Sequence, residues 1–359
     1  MPNKVLISRS PVCEFIGIML GVVTAKRRLG AACVFLVVFS CLRIFAMIRH
    51  VGLNSIGERR VYTGDAPQTI LTLCTTFVES ELRIPLHAAV VKNWGQLKPH
   101  IRPVLFTLNM TSVLSTMARN HGWDVVLVTS FNSHHTPYIN NMFEYIYNHY
   151  KSEYYGFANG DILFSRSLAE TLGAIKNATG RKSVMVVGQR NNVNYHEISS
   201  NDVEFWQPAK IQKYMCQYGK QEGPLSLDYF ITSPYGFPWS TIPDLVVGRE
   251  RYDNYLLLMS IYLLITTVDG TNSIDNLHLK GRDKTLTHFD LDVKDKKFNE
   301  DAILNFGRIN FADGSVHNCE YFTRTRKVDI SIQRKLKWES PKYFEKFQSN
   351  IKALMEHNR

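Results

Sequence analysis

From Thr69 onward, short runs of β-forming residues alternate with stretches of helical period, and this alternation narrows the choice of fold more than any other feature of the chain. The β-rich runs are 68–76, 104–108 and 124–129. Between them, 87–97 carries Val90, Val91 and Trp94 on one side, and 112–120 has helical spacing. Strand, helix, strand, helix, strand in that order predicts an α/β domain, a mostly parallel central sheet flanked by helices. A longer helix over 137–149 leads into a strand at 154–158, then the polar triplet Asn159-Gly160-Asp161, then the apolar run 162–164.

In an open α/β sheet, ligands collect beyond the carboxyl ends of the strands, so a polar triplet that interrupts a buried run marks the place to look. The spacing predicts a tight hairpin turn in which Gly160 supplies unusual dihedrals. Asp161, pinned between apolar flanks, needs a cation or hydrogen-bond donors to stay ionised. The plainer reading is a turn residue that caps its own backbone.

The chain has 359 residues, 45% of them hydrophobic, which is enough for one domain of roughly 250 residues with appendages. The run 29–48 is almost wholly apolar and about 20 residues long, enough to span a bilayer. Arg43 near its end can snorkel to the interface, and Lys26-Arg27-Arg28 ahead of it keeps the N-terminus cytosolic. The organisation expected is therefore a cytosolic 1–28, a transmembrane signal anchor at 29–48, a Gly-containing stem at 49–66, a catalytic domain at 67–323 and a basic helical tail at 324–359. Sequons at Asn109 and Asn177 fit a lumenal domain.

A formal charge of +10 suits an anionic partner. No zinc-finger spacing, RNA-recognition signature or basic helix with heptads accompanies it, so nucleic acid is not expected as a partner. None of the six cysteines stands in a Cys-x-x-Cys pair, so a structural zinc site is not expected. Cys74, Cys216 and Cys319 fall in the globular part and allow one disulfide.

Several blocks, in order over about 69–281, resemble glycosyltransferase-like proteins of the nucleotide-diphospho-sugar transferase fold, often called GT-A. They are Thr75-Thr76-Phe77; Val91-Lys92-Asn93-Trp94 with Leu97; Thr136-Pro137; Phe157 through Phe164; Val187-Gly188-Gln189-Arg190; Asp228-Tyr229-Phe230; Ile242-Pro243; Val247 through Tyr255; and Val268-Asp269-Gly270-Thr271 with His278. The triplet looks like the family's Asp-x-Asp motif with Asn first. Gly160, and Leu279-Lys280 where relatives commonly carry Gln, depart from the pattern.

The resemblance implies a metal-dependent transferase that moves a sugar from a nucleotide-sugar donor to a glycan, glycoprotein or glycolipid acceptor. It implies a type II membrane protein of the Golgi or endoplasmic reticulum, held by its N-terminal anchor. Manganese or magnesium would be held by Asp161, helped by Asn159 and His278, with positions left for phosphate oxygens. Asp253 is the first choice of base for an acceptor hydroxyl and also sits where a helix cap would, while Asp228 is the alternative. Arg190 and Arg249 offer forked donors to a diphosphate, and Thr75 and Thr76 stand where relatives place the nucleotide base of the donor. A nucleotidyltransferase would need a Gly- and Lys-rich loop after the first strand, and none follows Thr76. The other alternative is a catalytically silent glycan-binding or scaffold protein on the same fold.

Overall fold

The computed structural model of the protein describes residues 69–335 apart from 181, 235, 249–250, 282–285, 307–309 and 327–328. In chain order its elements are β1 (Leu71–Thr76), α1 (Ile84–Gly95), β2 (Ile101–Thr107), α2 (Val113–Asn120), β3 (Asp124–Leu127), α3 (Ile139–His149), β4 (Tyr154–Ala158), β5 (Ile162–Phe164), α4 (Ser167–Thr179), β6 (Val184–Gln189), β7 (Asn191–Asn194), α5 (Tyr195–Asn201), α6 (Ile211–Tyr218), β8 (Lys220–Gln221), β9 (Leu227–Thr232), α7 (Tyr252–Tyr262), β10 (Thr266–Asp269), β11 (Asn276–Lys280), α8 (Leu286–Phe306), β12 (Tyr321–Arg326) and β13 (Asp329–Arg334).

Nine strands form one sheet in the order β13-β12-β10-β6-β9-β4-β1-β2-β3, and the other four form a small sheet, β5-β11-β7-β8. In the large sheet β9 runs antiparallel to both its neighbours, β4 and β6, and β13 runs antiparallel at one edge, while the remaining pairs are parallel. The expected α/β sheet is present, with β9 as an inserted reversed strand.

Alternation along each strand divides the core between the two faces of this sheet. Leu71 and Leu73 of β1, with Val184 and Val186 of β6, pack with Val90, Val91 and Trp94 of α1. Cys74, Met185 and Val187 face the other way, onto Met142 and Phe143 of α3 and the buried apolar length of α7. Each such side chain removed from water contributes about 1.5–3 kcal/mol before entropy is counted. Helix α1 begins ahead of its expected start because Pro85 suits a first turn, whose N–H groups have no partner in the helix. Ser112 caps α2 by accepting from the Ser115 amide at 3.1 Å.

Strands β12 and β13 carry the large sheet past residue 323, so the segment expected as a tail begins inside the domain. Cys74, Cys216 and Cys319 are all free, and the disulfide the sequence allowed does not form among them. The apolar run 29–48, the stem and the basic helical stretch 341–357 lie outside the described residues. Among the described residues no helix is long and apolar enough to cross a membrane.

Candidate active site

The carboxyl ends of parallel strands β1, β4 and β6 lie along one edge of the large sheet, and reversed β9 begins at that same edge. The topology therefore gathers Thr75 and Thr76, Asn159, Arg190 and Asp228. Between Ala158 and Ile162 the chain leaves the large sheet and joins the small one, where Ile162 lies opposite His278 of β11, and His278 lies beside Asn192 of β7. The triplet is thus a crossover between two sheets and not the hairpin the sequence predicted.

Gly160 is also needed for a different reason than expected. It is not among the glycines with positive φ. A Cβ there would stand 2.6 Å from the Thr76 carbonyl oxygen and 2.7 Å from Phe77 Cδ1. The turn is pressed against the end of β1, and only a residue without a side chain fits.

Asp161 and His278 face one another, with Oδ2 3.4 Å from Nε2. The His278 Nδ1–H donates to Asn192 Oδ1 at 2.7 Å, which fixes the ring so that Nε2 points at the carboxylate. Asp161 Oδ1 is buried without a hydrogen-bond partner. Burial alone would raise the Asp161 pKa, but the charge and hydrogen bond of His278, with His87 and Arg83 nearby, hold it down to about 2. For His278, burial pulls the pKa down, and the Asp161 carboxylate more than offsets it, so the net direction is upward.

Asn159 and Asp228 are joined twice. The Asn159 amide donates to the Asp228 carbonyl at 2.9 Å, and Asn159 Nδ2 donates to Asp228 Oδ1 at 2.8 Å. The Tyr252 hydroxyl donates to Asn159 Oδ1 at 3.3 Å. Arg190 takes the other Asp228 oxygen at 2.7 Å, while its Nε is buried without a partner. Asp228 is therefore occupied by two donors and is poorly placed to accept a proton from a substrate. Asp253 stands in the first turn of α7, and the left-handed Arg251 (φ 80°) takes the cap position. Asp253 Oδ1 accepts from the adjacent Asn254 amide at 2.9 Å. Desolvation lifts its carboxyl to about 8, with the nearby Asp228 charge adding to the rise and Arg190 opposing it.

Thr75 is buried, and its hydroxyl reaches the Thr76 carbonyl at 3.4 Å. Arg249 lies outside the described residues. Four nearby residues were not read from the sequence: His87, which donates from Nδ1 to the Gly160 carbonyl at 2.7 Å; Tyr252; Asn192; and Glu222, which accepts from Asn192. For His87 there was a signal, because it precedes Val90, Val91 and Trp94 on the buried side of a predicted helix.

Among the described residues, no three His, Cys, Asp or Glu side chains lie close enough to hold a metal ion by themselves. Asp161 and His278 nevertheless fit a divalent cation that takes its remaining ligands from a substrate. The bare, ionised oxygen and an imidazole held by its other nitrogen are the donor set that manganese accepts.

No protein-family model matches the chain, and no curated protein sequence matches it. Among solved structures it is similar to glucosyl-3-phosphoglycerate synthase from Mycobacterium tuberculosis in complex with Mn2+, uridine diphosphate and glucosyl-3-phosphoglycerate, with 12% identity over 78% of this chain and 93% of that one and a TM-score of 0.39. The same enzyme with Mg2+ and uridine diphosphate gives 12% identity, the same coverage and a TM-score of 0.40. S. aureus TarS 1–349 in complex with UDP-GlcNAc gives 12% identity over 35% of this chain and 36% of that one, with a TM-score of 0.26.

Proposed function

We propose that the chain is a metal-dependent glycosyltransferase that moves a sugar from a nucleotide-sugar donor to a carbohydrate-bearing acceptor. The observation that carries this reading is the bare Oδ1 of Asp161, an ionised and buried carboxylate oxygen at the open edge of the sheet, with His278 3.4 Å from its other oxygen. A site of this kind is completed by a cation, which Asp161 and His278 would hold, helped by Asn159. When bound, the cation supplies charge to neutralise a departing diphosphate.

The chain's own groups do the rest. Arg190, anchored by Asp228 through one nitrogen, has further donors to turn toward an anionic ligand. Asn159, tied to Asp228 and Tyr252, holds the approach to Asp161 rigid and leaves its Oδ1 as an auxiliary ligand. Asp253, with its pKa near 8, is the group to take the acceptor hydroxyl proton, and it acts in the fraction that is ionised. Thr75 and Thr76 line the donor end. Arg249 as a second diphosphate contact, the N-terminal anchor at 29–48 and a Golgi or endoplasmic reticulum lumen as the place of action belong to the same proposal and rest on the sequence.

A second reading, a silent glycan-binding protein, is favoured by the neutral state of Asp253 at ordinary pH and the occupied state of Asp228. Hydrolysis of nucleotide-sugars with manganese, compared between the parent and Asp161→Ala, separates the two. Turnover lost in the variant supports the enzyme, and an equal background in both supports the silent protein. A thermal-shift screen of donors with and without manganese identifies the nucleotide and sugar, since a ligand at 100 times its Kd stabilises the fold by about 2.7 kcal/mol.

A further inference from the structure

Among the described residues, β5 is an edge strand of the small sheet, hydrogen-bonded to a strand on one side only, to β11. Its other side is met by side chains of α1 and not by a strand. His87 Nδ1–H donates to the Gly160 carbonyl at 2.7 Å. Trp94 Nε1–H donates to the Ile162 carbonyl at 2.9 Å. Asn93 closes the series with both halves of its amide, donating to the Phe164 carbonyl at 3.0 Å and accepting from the Phe164 amide at 2.9 Å. In an extended chain the carbonyls of residues 160, 162 and 164 point to the same side. One helix thus supplies what a neighbouring strand would have supplied. On the opposite side, the Leu279 amide of β11 donates to the Asp161 carbonyl at 2.9 Å.

His87 is the end of this series that reaches the functional turn. Its ring is buried, lies stacked on Phe77 with centroids 4.6 Å apart, and leaves Nε2 buried without a partner. Phe77 is also what a side chain at position 160 would strike. Gly160 is therefore held from two directions, by contact with Thr76 and Phe77 and by the bond from His87, and the next residue is Asp161.

We propose that His87 is a positioning residue for Asp161: by holding the Gly160 carbonyl it fixes the carboxylate opposite His278 with Oδ1 left free for a cation. This rests on the cation-site reading given above. It goes beyond that reading in assigning the placement of the carboxylate to a helix that contributes no ligand of its own. Partners of this kind, one step removed from a metal, commonly govern affinity by 10–100-fold.

Two variants separate the hydrogen bond from the packing. His87→Phe keeps a stacked ring and loses the donor, whereas His87→Asn keeps an N–H donor at the same branch of the side chain and loses the ring. The full chain of each is compared with the parent for Mn2+ affinity, by electron paramagnetic resonance of free Mn2+, and for metal-free exchange of the Leu279 amide by NMR, with the Val186 amide of β6 as the control. In His87→Phe, Mn2+ affinity falls by about tenfold or more, and Leu279 exchanges faster while Val186 does not. In His87→Asn both quantities stay within about threefold of the parent. The proposal is overturned if His87→Phe keeps the parent's Leu279 protection, or if His87→Asn loses as much as His87→Phe. If the parent binds no Mn2+, the cation-site reading fails, and the Leu279 amide still decides whether His87 fixes Asp161.

Discussion

Two carboxylates in this molecule have been treated in opposite ways by the fold. Asp295, on α8, is completely buried and receives Asn132 Nδ2 at 2.7 Å, His134 Nδ1 at 2.9 Å and Thr136 Oγ1 at 2.6 Å. These three donors come from the loop between β3 and α3, so the carboxylate braces that loop to the helix. Asp161 is half-buried and is held ionised, yet its inward oxygen, Oδ1, is buried and has no donor. In the proposed reading a cation would complete the half-satisfied charge. Asp161→Ala is the largest test of that contrast. Turnover falls about 10³-fold, near 4 kcal/mol in the barrier, while the melting temperature moves by no more than about 3 °C.

Asp295→Ala should reverse the pattern. Three donors lose their acceptor, buried Asn132 among them, at a cost of about 3 kcal/mol, and the melting temperature drops by about 6–12 °C. Turnover per folded molecule, measured below that transition, stays at the parent level. A loss of turnover equal to that of Asp161→Ala, with the protein still folded, would erase the distinction between the two carboxylates.

The sequence made one of these residues visible and hid the other, and the reason is physical. Asp161 interrupts an apolar run, so its chemistry shows within a few neighbours. Asp295 gains its partners across more than 150 residues, at a separation where periodicity carries no information. The same limit explains the rest of the reading. Strand and helix positions were legible from apolar spacing, and α1 shows its Val90, Val91 and Trp94 side as expected. The reversal of β9, the small sheet of strands two to five residues long and the crossover at 159–161 are matters of pairing between distant segments. His278 could be named as a partner of Asp161 through a family resemblance, whereas Asn192, which aims its ring, could not.

Asp253 stands between the two extremes, since it is a carboxyl that the fold keeps neutral. Its pKa near 8 against an ordinary 3.8 means that the unfolded chain ionises at lower pH than the folded one. The stability contributed by the neutral acid is complete below about pH 4 and is lost as pH rises through about 8. Asp253→Asn should therefore melt higher than the parent, by an amount that grows over this window to about 1–2 kcal/mol, a discounted figure because the side chain is partly exposed. Its turnover falls about 10²-fold. In the parent the rate climbs with pH up to about 8 and then levels, and in the variant that rise is gone. A parent profile that is flat from pH 6 to pH 8 would remove Asp253 from the role of base.

Asp228 gives the comparison its smallest step, because it is satisfied like Asp295 yet lies beside Asp161. It spends one oxygen on Asn159 and the other on Arg190, and the guanidinium is left with donors beyond the one it uses. Arg190→Lys keeps a positive charge for Asp228 but gives up the planar fork, so a second anion can no longer be held at a fixed angle. The expected outcome is a KM for the nucleotide-sugar raised about tenfold with kcat nearly unchanged, the signature of binding lost equally from the ground and transition states. A fall in kcat with KM unaltered would instead place Arg190 among the groups that act only as charge develops, and would move Asp228 from brace to participant.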